Sequence, residues 1–356
     1  MSEKVLKVGV VGLGQIAQIM HLHYLKELPS FEIAAVCDIS KSLVEQVGDH
    51  YSVANRYTDY RRLLEQRDLD VVLNVTRNHF QVSLDALNAG KHVMTEKPIG
   101  FNLDEADAII DAARANKKTL QVAYMKRYDP SFQWAMERFK QINDLRLIRV
   151  HDFGGSFPIN SEIYDMYKGD DFPADLLKAE EEEVNASLVK AIGADRADLA
   201  RLYSSLLHLC THDTIILRQA FGEPKNILYV DNFEGNFVVA VFDYGSGVRC
   251  VWESGLVLNA TPWDESLTAY GSDCIVRVDF PFPYLQNGET VVTVKEREGA
   301  RFVKKHVTAS FDEAFKRQWR HFYECVTQDK EPITSGAEGR ADVALLANMV
   351  KAIRRR

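Results

Sequence analysis

The strongest constraint on this chain is a pair of glycines wedged between a strand and a helix. A short apolar run, Val8-Gly9-Val10-Val11, leads directly into Gly12-Leu13-Gly14-Gln15-Ile16-Ala17, a G-x-G-x-x-A pattern that opens a helical stretch. Two glycines and a small residue recur often by chance, but their placement between first strand and first helix makes the pattern informative. Gly12 permits the tight turn, Gly14 lets backbone approach a pyrophosphate at the positive helix end, and Ala17 allows close helix-to-strand packing. Gln15 and Ile16 fall in the first turn of that helix, beside the same phosphates.

The strand-then-helix alternation continues down the chain. Apolar β-rich runs at Ile33 to Cys37, Val71 to Val75, His92 to Thr95 and Leu120 to Tyr124 read as buried parallel strands. Between them, Ile16 to Glu27, Lys41 to Tyr51, Tyr60 to Gln66 and Phe80 to Ala89 carry apolar residues at helical spacing. A further helix start is marked by Asn102 with Glu105 three residues on, a capping-box spacing. Alternation of this kind specifies an α/β, doubly wound parallel sheet of the Rossmann type over residues 1–126. The second strand ends at Asp38, 26 positions after Gly12, where a carboxylate can accept from adenosine ribose hydroxyls and repel a 2′-phosphate. Ile39 and Ser40 follow it with no arginine, so NAD is preferred and NADP is less favoured. A cap on the next helix is the alternative reading of Asp38.

Beyond Asp129-Pro130 the texture changes to a helix, a strand at Leu147 to Gly154, a long polar and helical stretch to Ala220, then strands from Ile227 to Val307. Residues 127–356 are therefore expected to form an α+β domain with an open, mainly antiparallel sheet, serving substrate binding and oligomerisation. Hairpin signals stand at Asp243 to Gly247 and Gln286 to Glu289. The segment from Asn160 to Ser204 reads as an insertion, a lid or an oligomer contact. An ordered crossing near Met125 to Asp129, with a cleft beside it, is expected to join the domains.

The run Thr95-Glu96-Lys97-Pro98-Ile99-Gly100 resembles the E-K-P signature of the Gfo/Idh/MocA family, the glucose-fructose oxidoreductase and inositol dehydrogenase relatives. Thr76-Arg77-Asn78-His79, Ala89-Gly90-Lys91-His92-Val93 and Arg127-Tyr128-Asp129-Pro130 occur in the family's order and spacing, so the resemblance covers residues 5–135. It weakens beyond, where a helix ending in Phe221-Gly222-Glu223-Pro224 and the run of strands are the shared features. The resemblance implies that Thr76, Arg77, Asn78 and His79 lie along the cofactor, and that Glu96 and Lys97 sit near the nicotinamide ribose and substrate hydroxyl. Arg127 and Tyr128 stand where the family places residues that contact cofactor or substrate hydroxyls, and are assigned to substrate. Tyr164, Asp165 and Tyr167 could add further hydroxyl-binding groups, against the ordinary reading that they are surface loop residues.

The chemistry is consistent with these placements. A strand's carboxyl end faces the ligand crevice in open α/β sheets, and a lysine there can polarise an alcohol oxygen or relay its proton. The second element is His208-Leu209-Cys210-Thr211-His212-Asp213. The family shows D-x-x-x-H at this place; here His208 stands where the aspartate is expected, and Asp213 is the nearest carboxylate, about 100° around the helix from His212. Two histidines four apart would share a helical face. On the preferred reading His212 accepts the proton while His208, with Asp213, binds substrate. The alternatives are two ligands of a divalent metal, too few for a usual site and so set aside, or satisfied interface histidines.

Composition narrows the classes. With 43 basic against 51 acidic residues the chain repels polyanions, which argues against nucleic acid. Five scattered cysteines without a C-x-x-C pair suit a reducing compartment, and no run of 18 apolar residues suggests a membrane span. With no secretory leader at Met1 to Lys7, the cytoplasm is the expected location. The acidic run Glu180 to Glu183 and the basic run Arg354 to Arg356 read as solvated helix ends. The expected function is hydride transfer between NAD and a secondary hydroxyl or ketone of a sugar, glycoside or cyclitol, by a homodimer or homotetramer. An NAD-retaining, redox-neutral glycosidase of the same family and an inactive NAD-binding sensor are the alternatives.

Overall fold

A computed structural model describes residues 4–155, 162–233, 235–257 and 263–354. The first three residues of the Met1 to Lys7 segment, Asn160 and Ser161 of the expected insertion, and Arg355 and Arg356 of the basic run lie outside the described residues.

β1 (Leu6–Val11) is central to a six-stranded, wholly parallel sheet with β2 (Phe31–Cys37), β3 (Asn55–Tyr57), β4 (Val71–Asn74), β5 (His92–Thr95) and β6 (Leu120–Val122), in the order β3-β2-β1-β4-β5-β6. Leu6, Val8, Val10, Val71, Val72 and Leu73 are wholly buried, as parallel strands covered on both faces require. Each such side chain contributes roughly 1.5–3 kcal/mol of burial. The first helix carries a π-helical turn, Ala17–His21, before α1 (Leu22–Glu27). α2 (Lys41–Tyr51) is capped by Ser40, whose Oγ accepts from Leu43 N, so the cap is Ser40 and not Asp38. α3 (Tyr60–Leu64), α4 (His79–Asn88) and α5 (Leu103–Ala115) complete the crossovers. A capping-box arrangement forms at α5: Glu105 N donates to Asn102 Oδ1 at 3.0 Å, and the Glu105 carboxylate reaches back to accept from Phe101 N at 2.7 Å, one residue before the cap.

The chain divides into two compact units, but not at a single boundary near residue 126. The first gathers Met1–Tyr124, Tyr164–Ala194 and Phe315–Ala344; the second gathers Met125–Ile163, Asp195–Ala314 and Leu345–Arg356. The return of residues 315–344 to the first unit has a packing cause. On α10 (Ala314–Gln328) the Phe315 and Trp319 rings stand edge-on to the His21 ring, at 5.5 and 5.9 Å. Past α10, Val122 N donates to Thr334 O at 2.8 Å, which extends the hydrogen bonding of the β6 edge. α7 (Ala174–Ile192), from the expected insertion, is likewise tied to this unit by Ser187 to Glu105 and by Lys190 to Asp104. Glu181 to Glu183 are exposed on it, in mid-helix rather than at a helix end.

The second unit is built on an eight-stranded sheet. β7 (Leu147–Gly154), β8 (Asn226–Phe233), β9 (Phe237–Gly245), β10 (Val248–Leu256), β11 (Asp264–Tyr270), β12 (Cys274–Phe280), β13 (Val291–Glu298) and β14 (Arg301–Val307) run in the order β14-β13-β12-β11-β7-β10-β9-β8. All pairs are antiparallel except β7 with β10. β12 alternates buried and half-buried residues along its length, the signature of a sheet covered on one face. α6 (Pro130–Phe139) packs there, with Phe132 against Phe280. α8 (Ala200–Leu209) and α9 (Thr211–Phe221) follow α7, and α11 (Gly336–Ala352) ends the chain's helices. Among the described residues no helix is long and apolar enough to cross a membrane.

Candidate active site

The dinucleotide turn has the geometry that its sequence requires. Gly12 has φ +94°, and a Cβ there would lie 2.6 Å from Val75 O and 2.9 Å from Thr76 N. Any side chain would break the contact between this turn and the β4 loop. A Cβ on Gly14 would meet nothing within 4 Å, so space remains over the helix start. Among the described residues the buried Nε2 of Gln15 meets no hydrogen-bond partner beside that space. An open backbone surface, an unmatched amide donor and a helix N-terminus fit a pyrophosphate. Ile16 is half-buried at the same turn.

Asp38 closes the other side. Its Oδ2 accepts from Leu13 N at 2.8 Å and its Oδ1 from Ser40 N at 3.0 Å, so it ties the glycine turn to the end of β2. Burial pushes its carboxyl pKa up, backbone bonds from Ser40 and Leu13 pull it down, and the Asp171 charge raises it further; the net shift is upward.

The β4 loop and the E-K-P run are joined. Thr76 Oγ1 donates to Asn74 Oδ1 at 2.7 Å, Asn78 caps α4 through Phe80 N, and Arg77 is exposed. His79 is buried, with Nδ1 2.8 Å from Pro98 O, so it buttresses the E-K-P turn. Glu96 N donates to Asn74 O at 2.8 Å. The Glu96 carboxylate faces inward: Oε1 lies 2.9 Å from His21 Nε2, and Oε2 accepts from Lys97 N at 3.2 Å. Trp319 Nε1 donates to His21 Nδ1 at 3.2 Å, which assigns the ring proton to Nε2, facing Glu96. Burial alone would raise the Glu96 pKa; the His21 hydrogen bond, with the nearby Lys97 charge, outweighs it and holds the carboxyl below its ordinary range. Trp319, His21 and Glu96 thus form a buried chain ending on the backbone of Lys97, which is itself half-buried. Sequence reasoning missed this chain, because nothing in the spacing of positions 21, 96 and 319 announces it.

In the second unit the two histidines do not share a helix, contrary to the expectation from their spacing. α8 ends at Leu209 and α9 begins at Thr211, with Cys210 between them. Thr211 and Thr214 hydroxyls donate to Leu207 O and Cys210 O at the junction, a local bonding that competes with a continuous helix. His208 is exposed and its Nδ1 lies 2.7 Å from Ser204 O on its own helix; His212 is half-buried on α9. Arg127 Nε donates to Gln219 Oε1 at 2.8 Å, and Tyr128 is buried.

Asp213, expected to bind substrate, is buried in the interior instead. It belongs to a polar cluster on the helix-covered side of the sheet, where Asp152, Cys210 and Asp213 each place a donor atom within 4.8 Å of the others'. Cys210 Sγ lies 3.0 Å from Ser254 Oγ. Lys126 is buried beside them and ion-paired with Glu265, which also accepts from Trp263 Nε1 at 2.9 Å. Burial first, then the Asp152 charge, pushes the Asp213 carboxyl pKa well above its usual range, with Lys126 opposing. Burial also lowers the Lys126 pKa. Two oxygens and a sulfur could serve a metal, but the Lys126 charge already acts on this group and opposes the rise of the Asp213 pKa. Tyr164, Asp165 and Tyr167 fall in the first unit, where Tyr167 O and N pair with the Gln18 amide.

The segment that contains the glycine turn and the E-K-P run has known relatives. Residues 6–124 match the model of the GFO_IDH_MocA oxidoreductase family, NAD-binding Rossmann fold. Over that segment the chain is similar to the NAD-binding domain of this family. The inositol 2-dehydrogenase of Salmonella typhimurium is 36% identical over 132 residues, 36% of this chain and 39% of that protein. An uncharacterised oxidoreductase of Bacillus subtilis, YrbE, is 34% identical over 127 residues, 35% of this chain and 37% of that protein. The matches therefore span well under half the length of these relatives. Over the whole chain the fold is similar to that of KijD10, a 3-ketoreductase from Actinomadura kijaniata solved with NADP and TDP-benzene, with a TM-score of 0.76 at 17% identity, covering 99% of this chain and 98% of that one. It is also similar to the UDP-N-acetylglucosamine 3-dehydrogenase GnnA from Acidithiobacillus ferrooxidans, with a TM-score of 0.73 at 17% identity, covering 98% and 97%.

Proposed function

We propose that this protein is an NAD-dependent dehydrogenase or reductase acting on a secondary hydroxyl or ketone of a sugar, glycoside or cyclitol. The observation that carries the reading is the linkage within the first unit of three parts: the glycine turn, the β4 loop and the E-K-P run. Leu13 N is held by Asp38, His79 holds Pro98 O, and Glu96 holds the backbone of Lys97. That linkage fixes Lys97 at the carboxyl end of β5, the end at which ligands bind in open α/β sheets.

When bound, the nicotinamide supplies the hydride acceptor or donor. Lys97 is assigned to polarising the substrate oxygen, as an ammonium can, and His212 to holding the proton exchanged with it, as an imidazole can near neutral pH. The dehydrogenase and ketoreductase names of the relatives support the substrate class. NAD is proposed over NADP on the Asp38 carboxylate, although KijD10 was solved with NADP. Assembly into a dimer or tetramer is proposed because Leu228, Tyr229 and Phe233 on β8 and Phe302 on β14 are exposed; light scattering giving a monomer contradicts it.

The test is Lys97→Met. It should abolish turnover and leave the NAD dissociation constant within about threefold, since the residue is assigned to the chemistry and not to the pyrophosphate. Full activity in that variant ends the assignment.

A further inference from the structure

The chain that leaves β2 runs Asp38-Ile39-Ser40-Lys41-Ser42 into α2. In this fold the ribose hydroxyls of adenosine fall on the acidic residue at the end of β2, and a 2′-phosphate reaches the residues just after it. Serine hydroxyls, the first N–H groups of an eleven-residue helix and a lysine form a donor set suited to a phosphate. Here the two serine hydroxyls and the Ser42 N–H of that set are already engaged by an anion of the chain's own. Asp171 accepts from Ser40 Oγ in a short bond, from Ser42 Oγ at 2.8 Å and from Ser42 N at 3.0 Å. Asp170 accepts from Ser42 Oγ at 3.0 Å.

The segment that carries these acids is fastened to the same unit along its length. Tyr167 pairs with the Gln18 amide through both its N and O, at 2.9 and 3.0 Å, and Gln46 Nε2 donates to Lys168 O at 3.2 Å. Gly169 approaches the cradle so closely that a Cβ would lie 2.2 Å from Ser40 Oγ, and Ser40 is wholly buried beneath it. The bonds from Ser40 and Ser42 hold the Asp171 carboxyl at a pKa of about 2, so it is an anion at any working pH.

We propose that Asp171 is a built-in anion occupying the 2′-phosphate position of the dinucleotide site, so that this chain excludes NADP by occupancy as well as by the charge of Asp38. The proposal rests on the reading of the first unit as an NAD site and deepens it: cofactor choice is set by a residue more than a hundred positions away in sequence from the strand whose end it guards.

The experiment is titration calorimetry of NAD and of NADP on the full chain, in wild type, Asp171→Asn, Asp171→Ser and Asp38→Ala. Asp171→Asn keeps an oxygen for Ser40 and Ser42 while removing the charge; Asp171→Ser frees the cradle. The wild type should prefer NAD, and the ratio of the NADP to the NAD dissociation constant should fall about tenfold in Asp171→Ser, the effect of one charge-assisted hydrogen bond restored to a phosphate, and less in Asp171→Asn. An unchanged ratio in both Asp171 variants, with Asp38→Ala still shifting it, overturns the plug and leaves the NAD site standing. A wild type that prefers NADP overturns the proposal together with the NAD preference. Binding of neither dinucleotide overturns the reading of the site itself.

Discussion

Replacing Trp319 by Phe isolates one link of the chain that ends at Lys97. The indole N–H donates to His21 Nδ1 at 3.2 Å, and both side chains are wholly buried. Phenylalanine keeps the ring contacts to Phe31 and Phe322 but removes the donor and some of the volume. The lost volume, about 40 Å³, costs about 1 kcal/mol at the rate found for buried cavities. A His21 nitrogen left without its donor costs a further ~1–3 kcal/mol, because no water reaches it. The total of about 2–4 kcal/mol should lower the melting temperature of the first unit by roughly 5–15 °C, given about 2–4 °C per kcal/mol for a unit of this size. Thermal unfolding followed by far-UV circular dichroism measures the shift. Steady-state kinetics on the folded variant should show a lower kcat with little change in KM for NAD, since the chain positions Lys97 and not the pyrophosphate. A loss no larger than the cavity term, with kcat unchanged, would refute the claim that the indole N–H orients His21 and, through it, Glu96.

The same geometry sets further outcomes. Asp213 holds its proton above the ordinary carboxyl value of 3.8, so the folded chain binds more protons than the unfolded one from there upward, and stability falls as pH rises through that window. Asp213→Asn, which mimics the protonated acid, should flatten that fall in urea unfolding measured at several pH values; an unchanged slope contradicts the raised Asp213 pKa. Glu96 behaves in the opposite sense: its lowered pKa contributes stability above the ordinary value of 4.5 that is lost as pH falls through the folded value. Glu96→Gln should therefore be destabilised most at neutral pH and least in acid, and an equal loss at both would contradict the His21 pairing. Asp38→Ala frees Leu13 N and should reduce discrimination against NADP; unchanged discrimination discredits its ribose role.

Much of the first unit was legible because its signals are local. The glycine turn, the helix Lys41–Tyr51 and the Asn102–Glu105 capping box each lie within a few residues of their own cause. β3 was not legible: Asn55–Tyr57 is a three-residue edge strand with no apolar run to mark it. Nor was the return of α10 to the first unit, since an amphipathic pattern tells which face is buried and not against what. The histidine spacing misled because a helical period assumes one continuous helix, and the break at Cys210 depends on threonine side-chain bonding that the period does not encode. The Asp171 contact and the Trp319–His21–Glu96 chain are long-range polar contacts, with no periodic signature at all.

The measurement that tests the central claim most directly is absorbance at 340 nm of the purified protein with NAD, then NADP, against a panel of sugars, sugar acids, glycosides and inositols. The account predicts NADH accumulation with NAD and one class of polyol. Release of free sugar without NADH, or NAD binding with neither, would contradict it and point instead to a redox-neutral glycosidase or an inactive sensor.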